Sequence, residues 1–200
     1  MRKNPRYYKG LIIKVLNWRN TMLNLNTKRL TFVRYTEKDL PYVIELVSDP
    51  FMMKFIGDGQ VKDQQYAIHL IERMVEQYRN FGDYGLHKLI HRQTEEFIGH
   101  AGLVAQVIDD TFEIELGYWI KRAYWGQGYG FEAAQALATY ADEEMWLHRY
   151  ISAIQAGNEG SKRIAIKNGM HLEKIIEMDG KMVEIYVKLN SFEEDETEAL

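Results

Sequence analysis

The sequence predicts a single α+β domain, with a mixed, mostly antiparallel sheet of about seven strands and helices on both faces. Three observations carry this. Three strand-like runs follow one another across short turns in mid-chain, the pattern of an antiparallel meander. Two segments of helical period precede them and strand–helix units follow. No repeat or low-complexity linker interrupts the chain, and 200 residues at 46% hydrophobic content suffice for one well-buried core.

In chain order, residues 28–35 (KRLTFVRY) alternate and carry β-formers, which predicts a first strand. Thr36 can cap a helix that starts near Glu37, with Leu40, Val43, Ile44 and Val47 on one face. Pro41 falls in its first turn, where a missing N–H does no harm, and Asp49-Pro50 ends it. Residues 62–80 place Ala67, Leu70, Ile71, Met74, Val75 and Tyr78 at helical spacing. Strands are predicted over 84–91, 96–107 and 111–120, with turns at 92–95 and at Asp109-Asp110. A long helix with a small-residue face runs through Ala133, Ala134, Leu137, Ala138, Ala141 and Met145. A short strand over 150–156 and a helix over 159–168, stopped by Gly169, follow. Residues 171–177 and 181–189 then pair as a closing hairpin.

The domain is placed at residues 22–190. Before it, residues 1–21 carry Arg2, Lys3, Arg6, Lys9, Lys14 and Arg19 with no acid, an extension that either docks or stays poorly ordered. After it, residues 191–200 form an acidic tail. Over the whole chain 25 basic residues stand against 29 acidic ones, so no basic excess points to nucleic acid. The absence of cysteine removes thiol nucleophiles and thiolate metal sites and fits a reducing compartment. No apolar run approaches the ~20 residues of a membrane helix, and no secretory signal pattern is present, so a cytoplasmic protein is expected. The scattered histidines form no metal constellation, although His87 and His100 are placed to reach an acceptor cleft. Met52, Met53 and Phe55 read first as core packing, and next as a cover for that cleft. Monomer and homodimer are equally compatible with the sequence.

Residues 125–130 (WGQGYG) join the third meander strand to the long helix. A strand, a glycine-rich loop and a helix start make an anion site, because free N–H groups and the helix dipole attract a phosphate that small residues admit. A tight turn alone does not need this many glycines. Gly128, Gly130 and Ala133 formally match the dinucleotide fingerprint G-x-G-x-x-A. That fingerprint opens a first βαβ unit, whereas this one lies past mid-chain behind a meander. The ATP loop G-x-x-x-x-G-K-[ST] is absent. A coenzyme A pyrophosphate is the third option.

Residues 115–120 (ELGYWI) with 125–133 (WGQGYGFEA) resemble the acetyl-CoA-binding signature of the GNAT N-acetyltransferase superfamily, and within it the ribosomal-protein N-terminal (RimJ/RimL-like) branch. Residues 25–30 (LNTKRL) with Asp39, 97–103 (FIGHAGL), and 158–161 (NEGS) with 167–169 (KNG) are similar to further pieces of that branch, in order and spacing. The resemblance spans about residues 23–189. It implies a GNAT-like fold, acetyl-CoA as cofactor, and transfer of its acetyl group by direct attack of a primary amine in a ternary complex. The amine would belong to a protein N-terminus or a small molecule. The pantetheine arm would lie along the fourth strand, with backbone contacts near Trp119 and Ile120. Trp125, Gly126, Gln127, Gly128, Tyr129 and Gly130 would hold the pyrophosphate. Asn158 would meet a pantetheine amide, and Ser161 would bond or protonate the sulfur. The tyrosine that many members place in the late helix falls at Ala165, and the aromatic after the late glycine is Met170. A catalytically silent acyl-CoA-binding or regulatory module is therefore the alternative.

Glu113 and Glu115 alternate with Ile114 and Leu116, so both carboxylates face one side of the strand. A partly buried carboxylate beside the cofactor is a candidate base for the amine, and Glu115 is nearer the motif. A substrate-orienting acid is the competing reading.

Overall fold

The computed structural model describes residues 25–82 and 84–191. The basic segment 1–21 and the acidic run from Glu193 lie outside the described residues.

β1 (Leu30–Arg34) leads through a 3-10 turn (Glu37–Asp39) into α1 (Leu40–Ser48). Thr36 caps as expected, its backbone N–H and hydroxyl both donating to Asp39 Oδ2 at 2.8 Å. The cap opens the 3-10 turn rather than the α-helix, which starts three residues later than predicted. Asp49-Pro50 ends α1 and at once begins a short α2 (Pro50–Met53), which the sequence reading lacked. Asp49 Oδ1 accepts from the Phe51 and Met52 N–H groups at 2.8 and 3.4 Å, and Pro50 needs no partner in a first turn. α3 (Gln64–Phe81) is capped by Asp63, which accepts from Tyr66 N at 2.8 Å.

β2 (Gly85–His91), β3 (Phe97–Ile108) and β4 (Thr111–Ile120) form the predicted meander. α4 (Tyr129–Thr139) follows and widens into a π turn (Tyr140–Glu144), where one continuous helix is predicted. β5 (Arg149–Gln155), α5 (Glu159–Lys167) and the hairpin of β6 (His171–Met178) and β7 (Lys181–Leu189) complete the chain.

The strands make one seven-stranded sheet in the order β1-β2-β3-β4-β5-β7-β6. Val43, Leu46, Met53, Leu70 and Met74 of α1 to α3 pack on one face with Tyr35 and Phe97. Ala133, Ala134 and Leu137 of α4 pack on the other with Leu89, Leu116 and Tyr150. The alanines of α4 bring its backbone close to β4. Met52 and Met53 are core residues of the first face. No helix among the described residues is long and apolar enough to cross a membrane.

Every neighbouring pair is antiparallel except β4 and β5, which run parallel and share one register pair, Glu115 with Ile151. On its other side β4 pairs with β3 from Thr111 to Ile120. The two parallel strands therefore diverge beyond Glu115, and one edge of β4 stands open in the middle of the sheet. The Ser152 hydroxyl donates to the Leu116 carbonyl at 2.8 Å, a side-chain substitute where the ladder stops.

Candidate active site

The divergence of β4 and β5 leaves a cavity of about 100 Å³. Glu115, Tyr118 and Trp119 of β4 line it, with Ala153 and Ile154 of β5, Asn158, Ser161 and Ala165 at α5, and Phe55 and Ile56 beyond α2. That is smaller than a typical ligand pocket of roughly 300–1,000 Å³, so it suits the end of an extended ligand whose remainder lies in the open.

Glu115 sits where the fork begins. Its Oε1 accepts from Ala153 N at 3.4 Å and its Oε2 from the Gln106 side-chain amide. Burial raises the carboxyl to about 7, and these two hydrogen bonds offset part of the rise. A carboxyl near 7 exchanges protons at neutral pH. Glu113 is different. Arg149 Nε and Nη2 donate to its Oε1 at 3.2 and 2.8 Å, and Arg149 also donates to Glu173 through Nη1 and Nη2, each at 2.8 Å. Glu113 is buried and fully engaged, which leaves Glu115 as the carboxylate open to the cavity.

Asn158 and Ser161 meet at the start of α5. Asn158 Oδ1 accepts from Ser161 N at 3.3 Å, so Asn158 is the helix N-cap. Its Nδ2 makes no hydrogen bond among the described residues and still has donors to offer. Tyr118, which the sequence reading did not single out, also lines the cavity. Its buried hydroxyl has no hydrogen-bond partner of good geometry among the described residues. Burial pushes it up to about 12, with the Ser161 side chain acting in the opposite sense. Alternation along β4 places Tyr118 on the side opposite Glu115, so periodicity alone does not bring the two to one site.

The residues expected around the phosphates lie apart from the cavity, between β4 and α4. Gly126 and Gly128 have φ of +73° and +84°, in the region that favours glycine, and Gly128 is the N-cap of α4. The N–H groups of Gly126, Gln127 and Gly128 make no hydrogen bond among the described residues, so they are available to an anion. Gly130 serves packing instead. A Cβ there would stand 3.2 Å from Ile164 Cδ1 and 3.3 Å from Tyr118 Cε2, so its bareness lets α4 close on β4 and α5. The Tyr129 side chain is likewise buried in the core. The Trp125 indole donates to the Ile120 carbonyl at 2.5 Å, and the Gln127 side chain donates to Ala123 O at 2.9 Å. The Ile120 carbonyl thus already accepts one hydrogen bond from the indole. Trp119, Glu115, Asn158 and Ser161 are together at the cavity; Ile120 and residues 125–130 are not part of its wall.

His87 and His100 do not reach the cavity. Both are fully buried and neither lines it. His100 Nδ1 and the Tyr35 hydroxyl are 3.2 Å apart, the ring lies 4.5 Å from the Trp119 ring at a 45° tilt, and burial lowers its pKa to about 3. Among the described residues no group of three or more His, Cys, Asp and Glu could hold a metal ion.

The forked sheet thus carries a small cavity at its vertex, and a glycine loop with unpaired amides opens the next helix. The model of the Acetyltransferase (GNAT) domain family matches residues 29–171, and the chain belongs to that family. It is 31% identical over 151 residues to the uncharacterized N-acetyltransferase YnaD of Bacillus subtilis (strain 168), covering 76% of this chain and 84% of YnaD. A GNAT-family acetyltransferase from Bacillus anthracis, 26% identical, superposes with a TM-score of 0.68, covering 82% of this chain and 97% of that one. RimL, a ribosomal L7/L12 alpha-N-protein acetyltransferase solved with coenzyme A, shares the fold at a TM-score of 0.67 and 18% identity, covering 82% and 95%.

Proposed function

We propose that this protein is an acetyl-CoA-dependent N-acetyltransferase of the RimJ/RimL-like branch, acting on a primary amine of a protein N-terminus or a small molecule by direct attack in a ternary complex. The observation that carries the reading is the Glu115 carboxylate at the fork of β4 and β5, with a pKa raised to about 7 and an open strand edge beside it. Acetyl-CoA supplies the activated thioester. The open edge of β4 around Trp119 has backbone groups for an extended arm. The unpaired amides of residues 126–128, with the dipole of α4, suit a pyrophosphate. Asn158 Nδ2 is free to donate to a pantetheine carbonyl. Glu115 accepts the proton of the incoming amine, and Ser161 donates a hydrogen bond on the sulfur side. Holding both reactants in one small cavity lowers the entropic barrier further.

Ala165 favours a second reading. This cavity-lining alanine stands where many members of the superfamily carry the tyrosine that protonates the thiol, as in a module that binds acyl-CoA without turnover. Incubation with acetyl-CoA and a panel of primary amines, including N-terminal peptides of ribosomal proteins, separates the two. Amine-dependent release of free thiol is expected. Acetyl-CoA binding without release on any amine would favour the module, and absence of binding would contradict both.

A further inference from the structure

We infer that Arg29 is a positioning residue for the phosphate seat, and that it acts by cancelling the Glu132 carboxylate, which would otherwise repel an anion there. The inference rests on the reading of residues 126–130 as the pyrophosphate loop.

Arg29 enters just before β1, about a hundred residues from the loop it touches. Its Nε donates to Glu132 Oε2 at 2.6 Å and its Nη1 donates to the Gln127 carbonyl at 3.0 Å. Its guanidinium lies 4.0 Å above the Tyr129 ring. Its Nη2 stands 3.5 Å from where a Cβ on Gly128 would be, and makes no hydrogen bond among the described residues. The same segment closes on Glu132 from a second side. Arg29 N and the Thr27 hydroxyl donate to Glu132 Oε1 at 2.9 and 2.6 Å, and Arg92 Nη1 holds the Thr27 carbonyl at 2.7 Å.

Glu132 is in the first turn of α4. An acid there stabilises the helix by answering its dipole, which is the same positive end that a phosphate would use. An unanswered carboxylate would compete with the ligand for that field and repel it. Arg29 removes the conflict. Its planar fork bonds Glu132 and the loop carbonyl together and still presents one nitrogen beside Gly128, a task the single ammonium of lysine does not reproduce. The glutamate is thereby kept as a helix and loop anchor without its charge reaching the ligand.

The test is titration calorimetry with acetyl-CoA on four folded proteins: wild type, Arg29→Ala, Glu132→Gln and the double variant. Arg29→Ala should weaken binding by about ten- to a hundredfold, the scale of losing a charge-assisted hydrogen bond and exposing its partner. In turnover the loss should fall on KM for acetyl-CoA rather than on kcat. Glu132→Gln should bind at least as well as wild type, and the double variant should regain most of what Arg29→Ala loses. A double variant as weak as Arg29→Ala would show a merely structural clamp and overturn the inference, as would an Arg29→Ala affinity equal to wild type. If Arg29→Ala does not fold, Arg29→Gln, which loses the charge and keeps a hydrogen-bonding side chain, replaces it in both backgrounds under the same criteria. Failure of the wild type to bind acetyl-CoA would instead remove the pyrophosphate reading itself.

Discussion

Glu115 and Ile151 form the one register pair that joins β4 to β5. The carboxylate lies at the vertex of the fork, held by Gln106 of β3 on one side and the Ala153 amide of β5 on the other. One backbone event, the end of a parallel ladder, thereby produces the cavity, the open strand edge and the burial that raises the Glu115 pKa.

That burial makes stability depend on pH in a defined direction. The folded-state value is about 7 against an ordinary 4.5, so the native chain holds this proton more tightly than the unfolded chain. The resulting stabilisation is complete below about 4.5 and is lost as pH rises through about 7. Glu115→Gln, which stays neutral, should melt at a higher temperature than wild type at pH 8, and the difference should shrink toward pH 4.5. A difference that does not change with pH would mean that the carboxyl is not held in its neutral form.

Glu113 serves as the internal control. Breaking a buried ion pair costs roughly 3–5 kcal/mol, and hydrogen bonds to charged groups about 1.5–3. Arg149 is one-third exposed and keeps Glu173, so Glu113→Gln should cost about 2 kcal/mol in urea denaturation, at the lower end. Its kcat should stay within a few-fold of wild type. A collapse of kcat in a folded Glu113→Gln enzyme would move the base from Glu115 to Glu113.

Gly128→Val separates the loop from the core. A side chain at φ +84° costs about 1–2 kcal/mol, and the added Cβ would reach the Arg29 guanidinium. The protein should fold with a melting temperature lower by several degrees and fail to bind acetyl-CoA in calorimetry. Unchanged affinity would place the phosphates elsewhere.

Asn158 has two separable tasks. Asn158→Ala removes the N-cap of α5 and should lower stability by about 1 kcal/mol. Asn158→Asp keeps the cap acceptor and loses the amide donors, so it should hold wild-type stability while KM for acetyl-CoA rises. Equal KM in wild type and Asn158→Asp would leave Asn158 a cap and nothing more.

Much of the architecture is legible in the sequence because it is local. β2 to β4 show as strand-like runs between short turns, and β2 is buried at every second residue. The Asp109-Asp110 turn works because both residues accept positive φ, at 51° and 58°. The α2 turn escapes because Asp-Pro reads as a stop, although aspartate also caps and proline also begins a helix. In the loop, the three glycines look equivalent in sequence. The structure gives Gly126 and Gly128 to backbone conformation and Gly130 to packing against Ile164 and Tyr118. The fork at Glu115 and the burial of His87 and His100 depend on distant segments and have no local signature. Arg29 and Glu132, 103 residues apart, are the extreme case.

The most direct measurement is the pH dependence of kcat/KM for amine-dependent thiol release, with the best amine of the panel, in wild type and Glu115→Gln. Glu115 as base predicts a wild-type rate that rises with pH through about 7. In Glu115→Gln that limb should be absent and the rate lower by about 10²–10⁴. A Glu115→Gln enzyme with the wild-type rate and the same pH profile would contradict the central claim that this carboxylate takes the proton of the amine.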